Sequence, residues 1–385
     1  MTEEAGATAS GLPGWRGHAA LVLASSTGGI GQHVASLARG LVRRGATVTV
    51  CGPAATEELF GFTAVGARFL PVEIPANPRP GDARTVGALR RALAGTDAEV
   101  VHAHGLRAGF VAAVARTGRP LVVTWHNAAL SRGLRAPVHR VLERVVARAA
   151  DVTLGASADL VARATALGAR DARLGEVAAP PLPPPRRTRA AVRAEFGVAA
   201  DVPLVLSVGR LHPQKRYDVL VDAAARWRQR QPPPSVVIAG SGPSYLPLAA
   251  RISEARAPVT LLGHRTDVAD LLLGADLAAV TSDWEARQLF AQEVLQAGVP
   301  LVATDVGGIP GLVGDAAVLV PPGDVDAVDA AVRRLLDDPD LRADYAERGR
   351  ARAGTWPTEA QVVAAVAGIY AEVVEARRQP APERR

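Results

Sequence analysis

One pattern constrains this chain more than any other: a short, uniformly apolar segment, a glycine or polar turn and an amphipathic stretch recur on both sides of a proline-rich seam. Before the seam the pattern predicts strands over 19–24, 47–51, 100–102, 120–125 and 152–155, with helices such as 30–44 and 137–149 between them. After it, strands are predicted over 204–208, 235–239, 259–262, 277–280 and 300–304. Strands that are apolar throughout, rather than alternating, must be covered on both faces, and the intervening helices supply that cover. The fold class that follows is α/β, with two Rossmann-like, doubly wound parallel-sheet domains facing each other across a cleft. Ligands in such sheets gather beyond the carboxyl ends of the strands, where this chain places its glycines and polar residues.

The seam itself, 178–187, reads Ala-Ala-Pro-Pro-Leu-Pro-Pro-Pro-Arg-Arg, a stiff connector unable to join a helix or a sheet. The expected organisation is a disordered tail over 1–17, a first domain over 18–178, a linker over 179–190 and a second domain over 191–356. A last helix over 357–378 crosses back to brace the first domain, before a disordered tail over 379–385. At 385 residues and 48% hydrophobic, the chain has material for two cores.

A single cysteine, Cys51, excludes a disulfide framework and a cysteine-rich metal site, which suits a reducing cytoplasm. The start of the chain carries Glu3 and Glu4 rather than the basic start of a signal peptide. The longest apolar run, 362–371, is stopped by Glu372, short of a membrane span. Charge is uneven: residues 1–190 hold 23 Arg against 13 Asp and Glu, so the net +6 of the whole chain divides into +10 and −4. A basic first half suits an anionic partner, either a phosphorylated or lipid-linked acceptor or peripheral contact with the inner membrane face, or is simply a solvated arginine surface. It lacks the interleaved aromatics of nucleic-acid binding, so no nucleic-acid partner is expected.

Of 44 basic residues only Lys215 is lysine, in Ser207-Val-Gly-Arg-Leu-His-Pro-Gln-Lys215. A compact ammonium retained in an arginine-biased chain, just after an apolar strand and near Arg210, suits an anionic group such as phosphate. Further on stand Glu285 and Glu293. Ser282-Asp-Trp-Glu285 has the form of a capping box, in which Glu285 would only start a helix. Glu293 falls on the apolar face of a helical wheel with Leu289, Phe290, Val294 and Ala297, so its carboxylate needs hydrogen-bond donors. Sugar and ribose hydroxyls are such donors, and backbone amides compete with them.

With these residues the chain resembles retaining nucleotide-sugar glycosyltransferases of family 4. The resemblance rests on Glu285 and Glu293, Gly209-Arg210 with Lys215, Ile-Ala-Gly240-Ser-Gly242, Leu-Gly263-His-Arg-Thr-Asp and Gly298-Val-Pro-Leu-Val-Ala-Thr-Asp-Val-Gly-Gly-Ile-Pro. In the first half it rests on Thr27-Gly28-Gly29-Ile-Gly31, Val101-His-Ala-His104 and Val123-Thr-Trp-His126. It implies that Arg210 and Lys215 clasp the donor diphosphate, that Glu293 holds the ribose and Glu285 a sugar hydroxyl, and that Gly263, His264 and Arg265 meet the base, mainly through main chain. Gly28, Gly29 and Gly31 would let the backbone approach the phosphate and the acceptor, and His126 would line the reaction centre. The implied reaction moves a hexose or N-acetylhexosamine to an acceptor hydroxyl without a metal or other cofactor.

Two departures touch the sugar subsite: Ala286-Arg287-Gln288 stands where the family has Gly-Phe-Gly, and Gly311 where it has glutamate. They motivate a second reading, a degenerate nucleotide-sugar-binding relative. A nucleotide-sugar epimerase is a third, needing extra acid/base carboxylates. A nicotinamide enzyme is disfavoured because the glycine turns lack the third glycine and Cys51-Gly52 stands where a ribose-binding acid belongs. Asp324 and Asp326 read as helix caps rather than a metal pair. His102-x-His104 is expected to send its imidazoles to opposite faces of an extended strand, which argues against zinc.

Overall fold

The computed structural model describes residues 14–26, 28–77, 82–127, 136–178 and 181–379. Most of the expected N-terminal tail, Thr27, residues 78–81 and 128–135, Ala179-Pro180 of the linker and residues 380–385 lie outside them. The chain divides into two compact units, one of residues 1–156, 160–178 and 357–385 and the other of 157–159 and 179–356.

The first unit is built on a seven-stranded parallel sheet: β1 (His18–Leu23), β2 (Thr47–Gly52), β3 (Arg68–Pro71), β4 (Val100–His104), β5 (Leu121–Trp125), β6 (Val152–Gly155) and β7 (Ala172–Leu174), in the order 3-2-1-4-5-6-7. The second holds six parallel strands: β8 (Leu204–Val208), β9 (Ser235–Ala239), β10 (Val259–Gly263), β11 (Leu277–Val280), β12 (Leu301–Thr304) and β13 (Val318–Val320), in the order 10-9-8-11-12-13. The order reverses between β1 and β4 in one sheet and between β8 and β11 in the other. Those reversals open the crevices in which doubly wound sheets bind ligands. The predicted strands are all present. The sequence pattern misses β3, β7 and β13, edge strands of three or four residues that have at least half their residues part-exposed, so no continuous apolar run marks them.

Local chemistry explains the frame. The helix Gly29–Arg43 buries Val34, Leu37, Ala38 and Leu41 along one face. The helix Glu359–Arg378 starts with a complete capping box, Thr358 N–H donating to Gln361 Oε1 at 2.9 Å while Gln361 N–H reaches Thr358 Oγ1 at 3.3 Å. It lays Val363, Val366, Ala367 and Tyr370 into the first unit's core, against the helix Gly29–Arg43. The two helices approach so closely that a Cβ on Gly40 would lie 2.4 Å from Val363. Asp324 caps the helix Val325–Asp337 by accepting from Ala327 N–H at 2.9 Å, and Asp326 pairs with Arg226. Among the described residues no helix is long and apolar enough to cross a membrane.

Candidate active site

In the second unit the polar residues gather at the β8–β11 reversal. β8 ends in Gly209-Arg210, and the chain then makes a single 3-10 turn, Pro213–Lys215, started by His212 Nδ1 accepting from Gln214 N–H. That turn is stitched to the segment after β11. Thr281 Oγ1 donates to the Lys215 and Arg216 carbonyls, Asp283 N–H to Gln214 O at 2.8 Å, and Gln214 Nε2 to Trp284 O at 2.6 Å; the Arg216 guanidinium meets Asp283 at 2.9 Å. The result fixes Lys215 beside Glu285, with Nζ 2.6 Å from Oε1 and both side chains largely buried.

Ser282 Oγ donates to the same Glu285 oxygen at 2.6 Å, and Oε2 carries no hydrogen bond among the described residues. Glu285 therefore does not form the capping box its sequence suggested. The following helix, Leu289–Ala297, has Gln288 at its N-cap and begins four residues after Glu285, because Glu285 is spent on Lys215 and Ser282 instead of a backbone amide. Lys215 Nζ also sits 3.9 Å from where a Cβ on Gly209 would be, next to Arg210. Arg210 is exposed, and its guanidinium makes no ion pair or hydrogen bond among the described residues.

Glu293, in the helix Leu289–Ala297, is half-buried and has no hydrogen-bond or ion-pair partner among the described residues. Burial alone pushes its carboxyl up to about 7. No backbone amide supplies the donors that its position on the apolar face demanded.

Glycines shape the surroundings. A Cβ on Gly240 would fall 1.8 Å from Gly209 O, and one on Gly242 2.3 Å from Leu211 O, so the β9 turn can press on the β8 turn only as glycine. Gly307, at φ +53°, and Gly308 lie equally close to the Glu285 and Ala286 carbonyls, and Gly308 N–H donates to Glu285 O at 2.8 Å. The main chain at 285–286 is thus held by the loop after β12, despite the departure in side chains. Arg287 donates to Gln292 at 3.3 Å and stacks over Trp356, while Gln288 is buried at the helix start. A Cβ on Gly311 would meet open space. At the β10 end, Gly263 is open at φ +73°, His264 is exposed, and the Arg265 guanidinium is occupied by Asp267 and Glu195. The main chain of this turn is open, while the Arg265 side chain is spent on its carboxylate partners.

The first unit contributes a buried histidine cluster at the β1–β4 reversal. His102 and His104 leave β4 on the same face, with ring centroids 4.1 Å apart. The expectation of opposite faces is corrected here, since alternate residues of a strand share a face. His102 is fully satisfied by Tyr370 Oη at 2.6 Å and Thr124 Oγ1 at 2.7 Å. His104 Nδ1 lies 3.3 Å from Nε2 of His126, the residue just after β5, and His33 meets both rings edge-on. Burial, followed by the neighbouring imidazoles, holds His104 and His126 well below the ordinary histidine value, and burial alone lowers His33 to about 4.

Nitrogens of His33, His104 and His126 lie within 4.8 Å of one another, the one such group among the described residues. Because His104 and His126 point nitrogens at each other, the arrangement is a hydrogen-bonded imidazole pair more than three lone pairs converging on an ion. Beside it lies a cavity of about 250 Å³ walled by Ser25, Ser26, Ile30, His104, Phe110 and Asn127. Arg107 on its wall is held by Asp82 and the Pro75 carbonyl. Gly28 and Gly29 are open at the start of the helix Gly29–Arg43, whereas Gly31 is closed: a Cβ there would strike the Phe60 ring at 2.1 Å. Gly31 thus serves packing rather than ligand approach. Thr281, Gln214, His33 and Tyr370 are not marked by the sequence pattern, and Ser282 is marked only as a helix cap; of the first four, His33, four residues after Gly29, carries a local signal.

Two parallel-sheet units with these switch-point clusters define a two-domain, doubly wound α/β architecture. Residues 188–352 match the family model of glycosyl transferases group 1, and residues 28–178 that of a glycosyl transferase 4-like domain. A D-inositol 3-phosphate glycosyltransferase of Xylanimonas cellulosilytica is 31% identical over 96% of this chain and all of the relative. A glycogen synthase of Mycobacterium tuberculosis is 30% identical over 92% of this chain and 94% of its own length. Among solved structures, sucrose-phosphate synthase from Thermosynechococcus elongatus aligns with TM-score 0.76 at 20% identity, over 94% of this chain and 100% of its own. Anabaena HepE in complex with UDP-glucose aligns with TM-score 0.74 at 21% identity, over 93% and 99%. The chain belongs to the group 1, family 4-type glycosyltransferases, with the two-domain GT-B fold.

Proposed function

We propose that this glycosyltransferase moves a hexose or N-acetylhexosamine from a nucleoside-diphosphate sugar to an acceptor hydroxyl, retaining the anomeric configuration and needing no divalent ion. The observation that carries the reading is Glu293, a half-buried carboxyl without a donor in the unit that also presents Arg210 and Lys215. A ribose supplies two hydroxyl donors to it. A diphosphate supplies the negative charge that the Arg210 guanidinium lacks.

In this reading Lys215 and Arg210 neutralise charge as the nucleoside diphosphate leaves, preorganised by the stitched 213–216 turn. Glu285, oriented by Lys215 and Ser282, keeps Oε2 for a hydroxyl of the transferred sugar. The acceptor rests in the first unit's cavity beside His104 and His126. Among the described residues no carboxylate lines that cavity; in this reading the departing phosphate oxygen takes the acceptor proton on the face from which it leaves, which retains configuration. The resident cations then do the work that a metal does in other transferases. Thermal-shift measurement with UDP, GDP, ADP and their hexose conjugates tests the donor half: one series stabilises the wild-type protein, and none stabilises it if the reading is wrong.

A further inference from the structure

We infer that His104 is a positioning residue that fixes His126 in the Nδ1–H tautomer, so that His126 meets the substrates as a hydrogen-bond donor and not as a base. The inference rests on the proposed placement of His126 at the reaction centre, but it concerns protons that are observable without any substrate.

One proton lies between His104 Nδ1 and His126 Nε2, which are 3.3 Å apart. If His126 Nε2–H were the donor, the proton of neutral His104 would sit on its Nε2, which is buried and has no partner. If His104 Nδ1–H is the donor, the buried Nε2 is a bare lone pair instead. An orphaned buried N–H is the rarer and costlier state, because its desolvation goes uncompensated while an unfilled acceptor is better tolerated. The proton therefore resides on His104 Nδ1. His126 accepts at Nε2 and carries its own proton on Nδ1, which makes no hydrogen bond among the described residues but, unlike His104 Nε2, is not sealed from solvent, so that N–H is not an orphaned buried donor.

The ring that enforces this is itself held. His104 packs 4.1 Å from His102, and His102 is pinned by Tyr370 from the helix Glu359–Arg378 and by Thr124 from β5. His33 closes the third side edge-on to both rings. A chain of hydrogen bonds and one ring contact thus runs from the C-terminal helix through β4 to His126. An Nδ1–H donor can bind a hydroxyl or phosphoryl oxygen and cannot remove the acceptor proton, which matches a reaction whose leaving group does so.

The test is 15N–1H correlation of imidazole-labelled protein at pH 7, with His126 assigned by substitution. His126 as the neutral Nδ1–H tautomer is the expected spectrum, and the Nε2–H form in wild-type protein overturns the inference whether or not the chain is a transferase. His104→Ala should release His126 into a tautomer mixture, whereas His104→Asn, whose amide N–H replaces Nδ1–H, should restore the single form. In transfer assays His104→Ala should lower kcat about 10-fold or more, the scale on which groups orienting a functional histidine act, with donor KM nearly unchanged. Wild-type kcat in a His104→Ala protein with mixed tautomers refutes the positioning role.

Discussion

Replacing Glu293 by glutamine should make the protein more stable and its nucleotide binding weaker, by amounts that depend on pH in a calculable way. Burial raises this carboxyl from an ordinary 4.5 to about 7. The folded state therefore keeps a proton between pH 4.5 and 7 that the unfolded chain releases. The associated stability is fully present below pH 4.5 and is lost as pH rises to about 7. At about 1.4 kcal/mol per pH unit the loss is at most about 3 kcal/mol. Glutamine carries no such slope. Glu293→Gln should match the wild type near pH 4.5 and exceed it by up to about 3 kcal/mol at pH 8, read from urea unfolding followed by tryptophan fluorescence. Ribose hydroxyls favour the ionised form, so nucleotide binding at pH 6 should release up to about one proton in the wild type and none in the variant, measurable by calorimetry in buffers of different ionisation enthalpy. Affinity should fall about 10- to 100-fold, the loss of hydrogen bonds to a charged acceptor. Parallel stability curves for the two proteins from pH 4.5 to 8 would refute the reasoning.

Lys215→Ala should lower turnover about 100-fold or more, the range for lost preorganised charge stabilisation, and Lys215→Arg should be harmful but less so. Because Lys215 and Glu285 share a 2.6 Å contact, the Lys215→Ala and Glu285→Gln effects on kcat should be strongly non-additive, and simple multiplication of the two would show that they act apart. Gly308→Ala places a Cβ 2.0 Å from the Ala286 carbonyl and should cost about 1–3 kcal/mol in unfolding experiments along with sugar transfer. Tyr370→Phe removes the buried 2.6 Å bond to His102 and should destabilise the first unit by about 1–3 kcal/mol, seen as faster amide exchange in β4.

Much of this was legible in the chain because apolar strands buried on both faces leave unbroken runs of valine, leucine and alanine. The runs ending at Val208 and Val280 mark the carboxyl ends of two strands, and so the segments that bear Lys215 and Glu285; that these strands are neighbours at the reversal is seen only in the sheet. Glu293 was legible for a related reason: a carboxylate in the apolar stripe of a helix is conspicuous. What stayed hidden depends on contacts distant in sequence. Ser282 and Glu285 look like a capping box until Lys215, 70 residues earlier, is seen to take the carboxylate. Tyr370 lies 268 residues from the His102 it holds, and no local pattern announces the pair. Gly31 belonged to a glycine-rich turn, and only the Phe60 ring against it reveals a packing role.

If Arg210 and Lys215 hold a diphosphate, comparative titration of a nucleoside diphosphate and the matching nucleoside will show it. The wild-type protein should bind the diphosphate far more tightly, and the preference should vanish in Arg210→Ala/Lys215→Ala. Equal affinity for the two ligands in the wild type, or an undiminished preference in the double variant, would contradict it.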